Sequence, residues 1–207
     1  MGLPYTTPDL MTASTWADDI KSFKEYPQQL SQLHFIGNTF PKSGPAPTPN
    51  IVTALHENVK ILQTSPNIEA RAQALRLIIH FVGDIHQPLH CAIRVDDANP
   101  RGDQGGNQVS ILVADSTGRL RPDRLHIYWD EGLNTFVGST ATLAVKIERA
   151  NPDRGLELEP FNFEVWADES FKLAKDVAYA GIPSVSSSKE PVRITATYKA
   201  GSLLSVI

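Results

Sequence analysis

Six histidines and a set of nearby aspartates are the residues of this 207-residue chain whose types and spacing can do chemistry. His80 and Asp84 lie four apart in an apolar run, and the same spacing returns at His126 and Asp130 in HIYWD. On a helix, positions i and i+4 project from one face, so each pair presents an imidazole nitrogen and a carboxylate oxygen together. That donor set suits Zn²⁺, which takes nitrogen and oxygen ligands at about 2.0–2.2 Å. Between the pairs lies His86-Gln87-Pro88-Leu89-His90, where Pro88 breaks a helix and lets His90 point in a new direction. Earlier, Asp18 follows Trp16-Ala17, and His34 sits in the apolar run Leu33-His34-Phe35-Ile36. A buried histidine is more often a satisfied core residue than a ligand, so one such pair would mean little. Two pairs carry more weight. Burying Asp84 without a partner is expensive, and a cation is the usual remedy. Spacing alone leaves a metal hydrolase and a satisfied core both open.

Those side chains need elements to hold them. Gly37 to Pro49 is a proline-rich loop that ends where Asn50 can cap a helix. Ile51, Leu55, Val59 and Leu62 then recur at helical spacing. A second helix is predicted with Ser65 as its cap and Pro66 in its first turn, stopping near Pro88. It is apolar on nearly every face around Leu77 to Val82, which predicts a central, buried helix. Asp96 to Asn107 reads as a glycine-rich loop, and Val109 to Val113 with the turn Ser116-Thr117-Gly118 as a small β-hairpin. Helical character resumes in LHIYWDEGL, from Gly138 to Ala150, over Phe161 to Tyr179 and over Pro191 to Val206. The fold class expected is mainly α with a small β-hairpin.

Composition narrows the function classes. At 41% hydrophobic and 20% charged residues the chain reads as an ordinary globular protein with a sizeable core. The longest apolar stretch, Leu75 to Val82, is interrupted by Arg76 and His80 and is too short to span a bilayer, so no membrane partner is expected. A single cysteine, Cys91, excludes an internal disulfide framework. With 19 Lys and Arg against 23 Asp and Glu, the net charge of −4 argues against nucleic-acid binding by a basic surface alone. Phosphate contacts would then draw their positive charge from bound metal. Met1 to Leu10 lacks the basic start and apolar run of a secretory signal peptide.

WADDI (Trp16 to Ile20), LHFI (Leu33 to Ile36), HFVGDIHQPLH (His80 to His90), GDQGGN (Gly102 to Asn107) and LHIYWD (Leu125 to Asp130) occur in that order. Together they resemble the fungal and plant zinc-dependent single-strand-specific nucleases, or 3′-nucleotidase/nucleases, whose fold is shared with bacterial zinc-dependent phospholipase C. FNFEVWADES (Phe161 to Ser170) is similar to the family's late helix, so the resemblance covers Thr15 to about Tyr179. It implies a single zinc-binding helical domain across residues 1–207. It implies that Asp18, His34, His80 and Asp84 hold one zinc, and that His90, His126 and Asp130 hold a second. The family's third zinc needs an N-terminal tryptophan and a nearby histidine. Here Trp16 belongs to the WAD motif and no histidine precedes His34, so by the family's pattern the chain begins late and also ends early.

The implied activity is hydrolysis of single-stranded RNA, single-stranded DNA and 3′-nucleotides to 5′-nucleotides, weakened by the missing third ion. Asp18 and Lys21 are the catalytic residues that the resemblance assigns. Lys21 stands where the family usually has arginine, which predicts a looser phosphate clamp. Phe35 matches the aromatic that stacks on the base, a sequence-tolerant contact, although a plain core phenylalanine explains it equally. The family's base-contacting aspartate is replaced by Gly37. Asn107, with Gly105-Gly106, can offer contacts to a phosphate, and a tight turn explains all three without function. His86 reads as helix-terminal, His56 as a surface residue, and Cys91 as a small hydrophobe beside His90. Resemblance further implies secretion, and a monomer is expected. Two alternatives stay open: a phosphodiesterase of the same fold acting on phospholipid head groups, and a non-catalytic relative that binds zinc.

Overall fold

A computed structural model describes residues 9–22, 28–41, 44–134, 142, 145, 148–149, 161–184 and 190–206. Helix α1 (Leu10–Asp19) starts at Asp9, whose carboxylate accepts from Thr12 N at 2.8 Å. Short 3₁₀ turns follow at Ile20–Ser22 and Gln28–His34, then strand β1 (Asn38–Phe40). Helix α2 (Ile51–Thr64) opens with a reciprocal cap between Asn50 and Thr53, as the loop ending at Asn50 predicts. Helix α3 (Ile68–His86) is capped by Asn67, which accepts from Glu69 N and Ala70 N. The expected cap, Ser65, instead ends α2, its N–H bonded to Ile61 O at 2.9 Å. Asn67 wins because its side chain reaches two otherwise unpaired N–H groups. Pro88 stops α3 as predicted and opens a 3₁₀ turn, Pro88–His90.

Strand β2 (Ala92–Arg94) pairs in parallel with β1, Asn38 opposite Ala92. Strands β3 (Ser110–Ala114) and β4 (Leu120–Arg124) form the predicted antiparallel hairpin. Helix α4 (Leu125–Asp130) follows directly. Helix α5 (Phe163–Leu173) runs into a π turn at Ala174–Ala178, close to the predicted span. The last predicted helix is corrected at its start. Val192–Arg193 forms strand β5, parallel to β3, and helix α6 covers Ala196–Val206. β-Branched Val192 and Ile194 suit a strand, and Thr195 Oγ accepts from Tyr198 N at 3.0 Å to start the helix. The hairpin is thereby widened to three strands in the order β4-β3-β5. The helix predicted over 138–150 lies largely outside the described residues. The described chain is mainly α, as expected.

Two apolar clusters flank the Pro88–His90 turn. One gathers Trp16, Ile20, Ile51, Leu55, Phe81, Ile85 and Phe163 where α1, α2, α3 and α5 meet. The other gathers Leu89, Val109, Ile111, Leu125, Tyr128 and Leu133 beneath the three-stranded sheet. Helix α3 is central, but not buried all round: Leu75 is 43% exposed among the described residues. Its inner face carries Ala74, Leu77, His80, Phe81 and Ile85. Among the described residues, no helix is long and apolar enough to cross a membrane.

Because Leu55 is fully buried in the first cluster, Leu55→Ala is expected to cost about 2–5 kcal/mol in urea unfolding. Leu75→Ala, on the open face, should stay within about 0.5 kcal/mol of the parent.

Candidate metal centre

Helix α3 places His80 and Asp84 one turn apart, facing α1 and the Gln28–His34 turn. There His80 Nε2 lies 3.0 Å from His34 Nδ1 and 3.1 Å from Asp84 Oδ2. Asp84 Oδ2 is also 2.9 Å from His34 Nδ1, and Asp18 Oδ1 stands 3.6 Å from His80 Nε2. Past Pro88, His90 turns toward α4, where its ring stacks on His126 with centroids 4.9 Å apart. Asp130 spans the two rings: Oδ1 is 3.3 Å from His90 Nε2 and Oδ2 is 3.4 Å from His126 Nε2. Asp18, His34 and His80 bring their donor atoms within 4.8 Å of one another, and so do His90, His126 and Asp130. Asp84 joins the two groups, since its Oδ1 lies 3.6 Å from His90 Nδ1.

The proton positions on three of these rings follow from their partners. His80 Nδ1 is 2.6 Å from Ser14 O, His90 Nδ1 is 2.7 Å from His34 O, and His126 Nδ1 is 2.7 Å from Gly105 O. A carbonyl oxygen only accepts, so each Nδ1 carries the hydrogen, and Nε2 faces a carboxylate as a lone pair while the ring is neutral and as a donor once the ring is protonated. Lone pairs facing lone pairs repel unless a positive charge sits among them. The titrations express the same demand. Burial pulls His80 down, but hydrogen bonding to Asp84 and its charge outweigh it and raise the group. Burial likewise opposes, and Asp130 and Asp84 overcome, at His90, which is also raised. Burial wins at His34 and His126, which are lowered. Although burial works the other way, hydrogen bonds from His34 and His80 hold Asp84 far below the usual carboxylate range. Asp130 is lowered against burial by His90 and His126. Such imidazole and carboxylate sets fit a divalent cation of the zinc type. Backbone carbonyls fixing the far nitrogen are the orienting contacts such ligands usually have.

Each group has a buried imidazole side and an exposed carboxylate, Asp18 or Asp130. Beside them lies a cavity of about 490 Å³, lined among others by Lys21, His34, Phe35, His90, Asn107 and His126. Lys21 Nζ is 2.5 Å from Asp18 Oδ1, so the lysine is tethered at the cavity wall. Phe35 is 43% exposed there, which sets it apart from a core phenylalanine. Asn107 reaches the cavity, but its amide is engaged by the turn, Nδ2 donating to Gln104 O at 3.1 Å. Gly37 is packed so that an added Cβ would meet Ile93 Cδ1 at 3.1 Å. His86 ends α3, donating to Val82 O, and His56 is an exposed partner of Glu164 at 2.9 Å. The Cys91 thiol is buried, donates to Ile85 O at 3.3 Å and is pushed up to about 12 by burial. It is therefore a thiol rather than a competing thiolate ligand.

A family model for S1/P1 nucleases matches residues 3–206. The chain belongs to that family. It is 27% identical to Nuclease S1 of Aspergillus oryzae over 152 residues, 68% of this chain and 47% of the relative. To Endonuclease 4 of Arabidopsis thaliana it is 24% identical over 168 residues, 69% of this chain and 51% of the relative. To Endonuclease 3 of the same plant it is 27% identical over 199 residues, 83% of this chain and 63% of the relative. The chain thus spans about half the length of the first two.

Spacing exposed the imidazoles and carboxylates of this S1/P1-family chain but missed their supports. Ser14 O and His34 O act through the backbone and carry no side-chain signal. Gly105 left one, in the paired glycines of GDQGGN. Its φ is +61°, and an added Cβ would stand 2.5 Å from Leu89 O. Asp103 of the same motif is fully buried and structural, accepting from Tyr179 Oη at 2.8 Å and Arg94 N at 3.0 Å.

Gly105→Ala is expected to lower stability by at least about 1–2 kcal/mol, the cost of a left-handed residue, and to shift the His126 ring signals in NMR spectra. In chelator-treated protein, Asp84→Asn should cost about 3 kcal/mol near neutral pH, because two buried imidazoles lose their partner. A depressed carboxylate stabilises above its unfolded pKa and ceases to as pH falls through its folded value. The gap between parent and Asp84→Asn should therefore begin to narrow only below about pH 4 and close as pH falls on through the folded value, in denaturant titrations.

Proposed function

We propose that this chain is a zinc-dependent nuclease that hydrolyses single-stranded RNA, single-stranded DNA and 3′-nucleotides to 5′-nucleotides. The observation that carries the reading is the pair of donor groups, Asp18/His34/His80 and His90/His126/Asp130, set beside one open cavity. In this reading residues 1–207 are one nuclease domain. Asp18, His34 and His80 with Asp84 hold one zinc, and His90, His126 and Asp130 hold another. Bound zinc supplies Lewis-acid charge against a phosphate and makes water acidic enough to react near neutral pH.

The chain's own residues do the rest. Lys21, tethered by Asp18, adds a cation at the cavity wall. It is a point charge without a planar fork, so it attracts a phosphate without fixing its orientation. Phe35 offers an exposed ring face on which any base can stack. That face favours a base-bearing substrate over a phospholipid head group. Gln104, Gly105 and Asn107 line the cavity, and in this reading Asn107 contacts substrate there. With a net charge of −4 the protein lacks a surplus of basic residues to hold a polyanion, so affinity is concentrated at the two metal groups. The relatives named as nuclease and endonucleases support the same chemistry. An extracellular place of action and a monomeric state belong to this reading.

The test is zinc content and turnover of the purified chain. The expected result is about two zincs per chain, with single-stranded RNA cleavage abolished by chelator and restored by zinc. Phosphatidylcholine should not be turned over. His126→Ala should lose one zinc and several kcal/mol of transition-state stabilisation, or about 100-fold or more in rate. A chain without zinc, or cleavage indifferent to chelator, would overturn the reading.

A further inference from the structure

Gln87 follows the last residue of α3 and precedes the 3₁₀ turn that carries His90. Its side chain makes two contacts. Oε1 accepts from Leu89 N at 2.5 Å, and Nε2 donates to Asp130 Oδ1 at 2.6 Å. The backbone N–H of Leu89 can only donate, so it fixes the amide oxygen on its own side. The NH₂ group is thereby left facing the carboxylate. One planar group therefore joins the end of the helix that carries His80 and Asp84 to a carboxylate on α4.

Asp130 needs such a tether. Its side chain is 43% exposed, in contrast to the sheltered rings of His90 and His126. An exposed carboxylate is free to sample other rotamers and loses that freedom when it holds an ion. Gln87 occupies Oδ1 and leaves Oδ2 turned toward His126 Nε2 at 3.4 Å. We infer that Gln87 is a positioning residue for the His90/His126/Asp130 group, setting its affinity for metal by holding Asp130 in its ligating orientation. This inference rests on the metal reading proposed above.

Two substitutions separate the two contacts. Gln87→Asn keeps a capping amide for Leu89 N, since asparagine caps well, but is one methylene too short to reach Asp130. Gln87→Met fills the same space and makes neither hydrogen bond. The measurement is zinc bound per chain during titration with a competing chelator, alongside melting of the zinc-free proteins. In the parent, two zincs should resist the chelator. In Gln87→Asn one zinc should be released at about 10–100-fold lower chelator strength, the usual effect of removing an outer contact to a ligand. The other zinc, and the melting temperature of the zinc-free chain, should match the parent. Gln87→Met should show the same selective loss. If Gln87→Asn holds both zincs as the parent does, or if both sites weaken together, Gln87 serves the turn alone and the inference falls. A parent chain without zinc would overturn the metal reading itself, an outcome separate from a failure at Gln87.

Discussion

Asp84 sets the terms for the rest of the molecule. A carboxylate on the inner side of a helix, among Phe81, Ile85 and two imidazoles, is tolerable only if positive charge is supplied to it. Helix α3 holds it in place by apolar packing on α1, α2 and α5. The partners then arrive from elsewhere. Asp18 and the Ser14 carbonyl come from α1, His34 from the Gln28–His34 turn, and His90 from the turn that Pro88 forces. The site is assembled from elements far apart in sequence because a helix presents only one face, and a group of converging donors has to be closed from several directions.

Much of this was legible in the residue order. The His80/Asp84 and His126/Asp130 spacings identified faces that the structure does bring together. Asn50 marked the start of α2, Pro88 marked the end of α3, and Ser116-Thr117-Gly118 marked the hairpin turn. What escaped was of three kinds. The start of α3 moved from Ser65 to Asn67 because two polar residues on either side of Pro66 compete for one cap, and local sequence does not rank them. Strand β5 escaped because two residues have no readable period, and their pairing with β3 is a long-range event.

The third kind concerns the site. The groups that fix the histidine rings are Ser14 O, His34 O and Gly105 O, and a backbone carbonyl is the same whatever side chain it accompanies. Only where the backbone must adopt a left-handed turn does it leave a trace, as at Gly105. The candidate donors were therefore readable from residue types, while the carbonyl contacts that orient their rings were not.

His34 shows why that distinction has consequences. Its ring belongs to the group with Asp18 and His80, while its carbonyl accepts from His90 of the other group. His90 O in turn accepts from Ile36 N at 2.9 Å, locking the two backbone segments together. A shift of the chain at residue 34 would move a ring in one group and release a ring in the other. The two groups are thus one mechanical unit, with Asp84 between them and its two oxygens turned to opposite sides. A local backbone change near 34–36 therefore acts on both groups at once, even where it replaces none of the side chains that face the cavity.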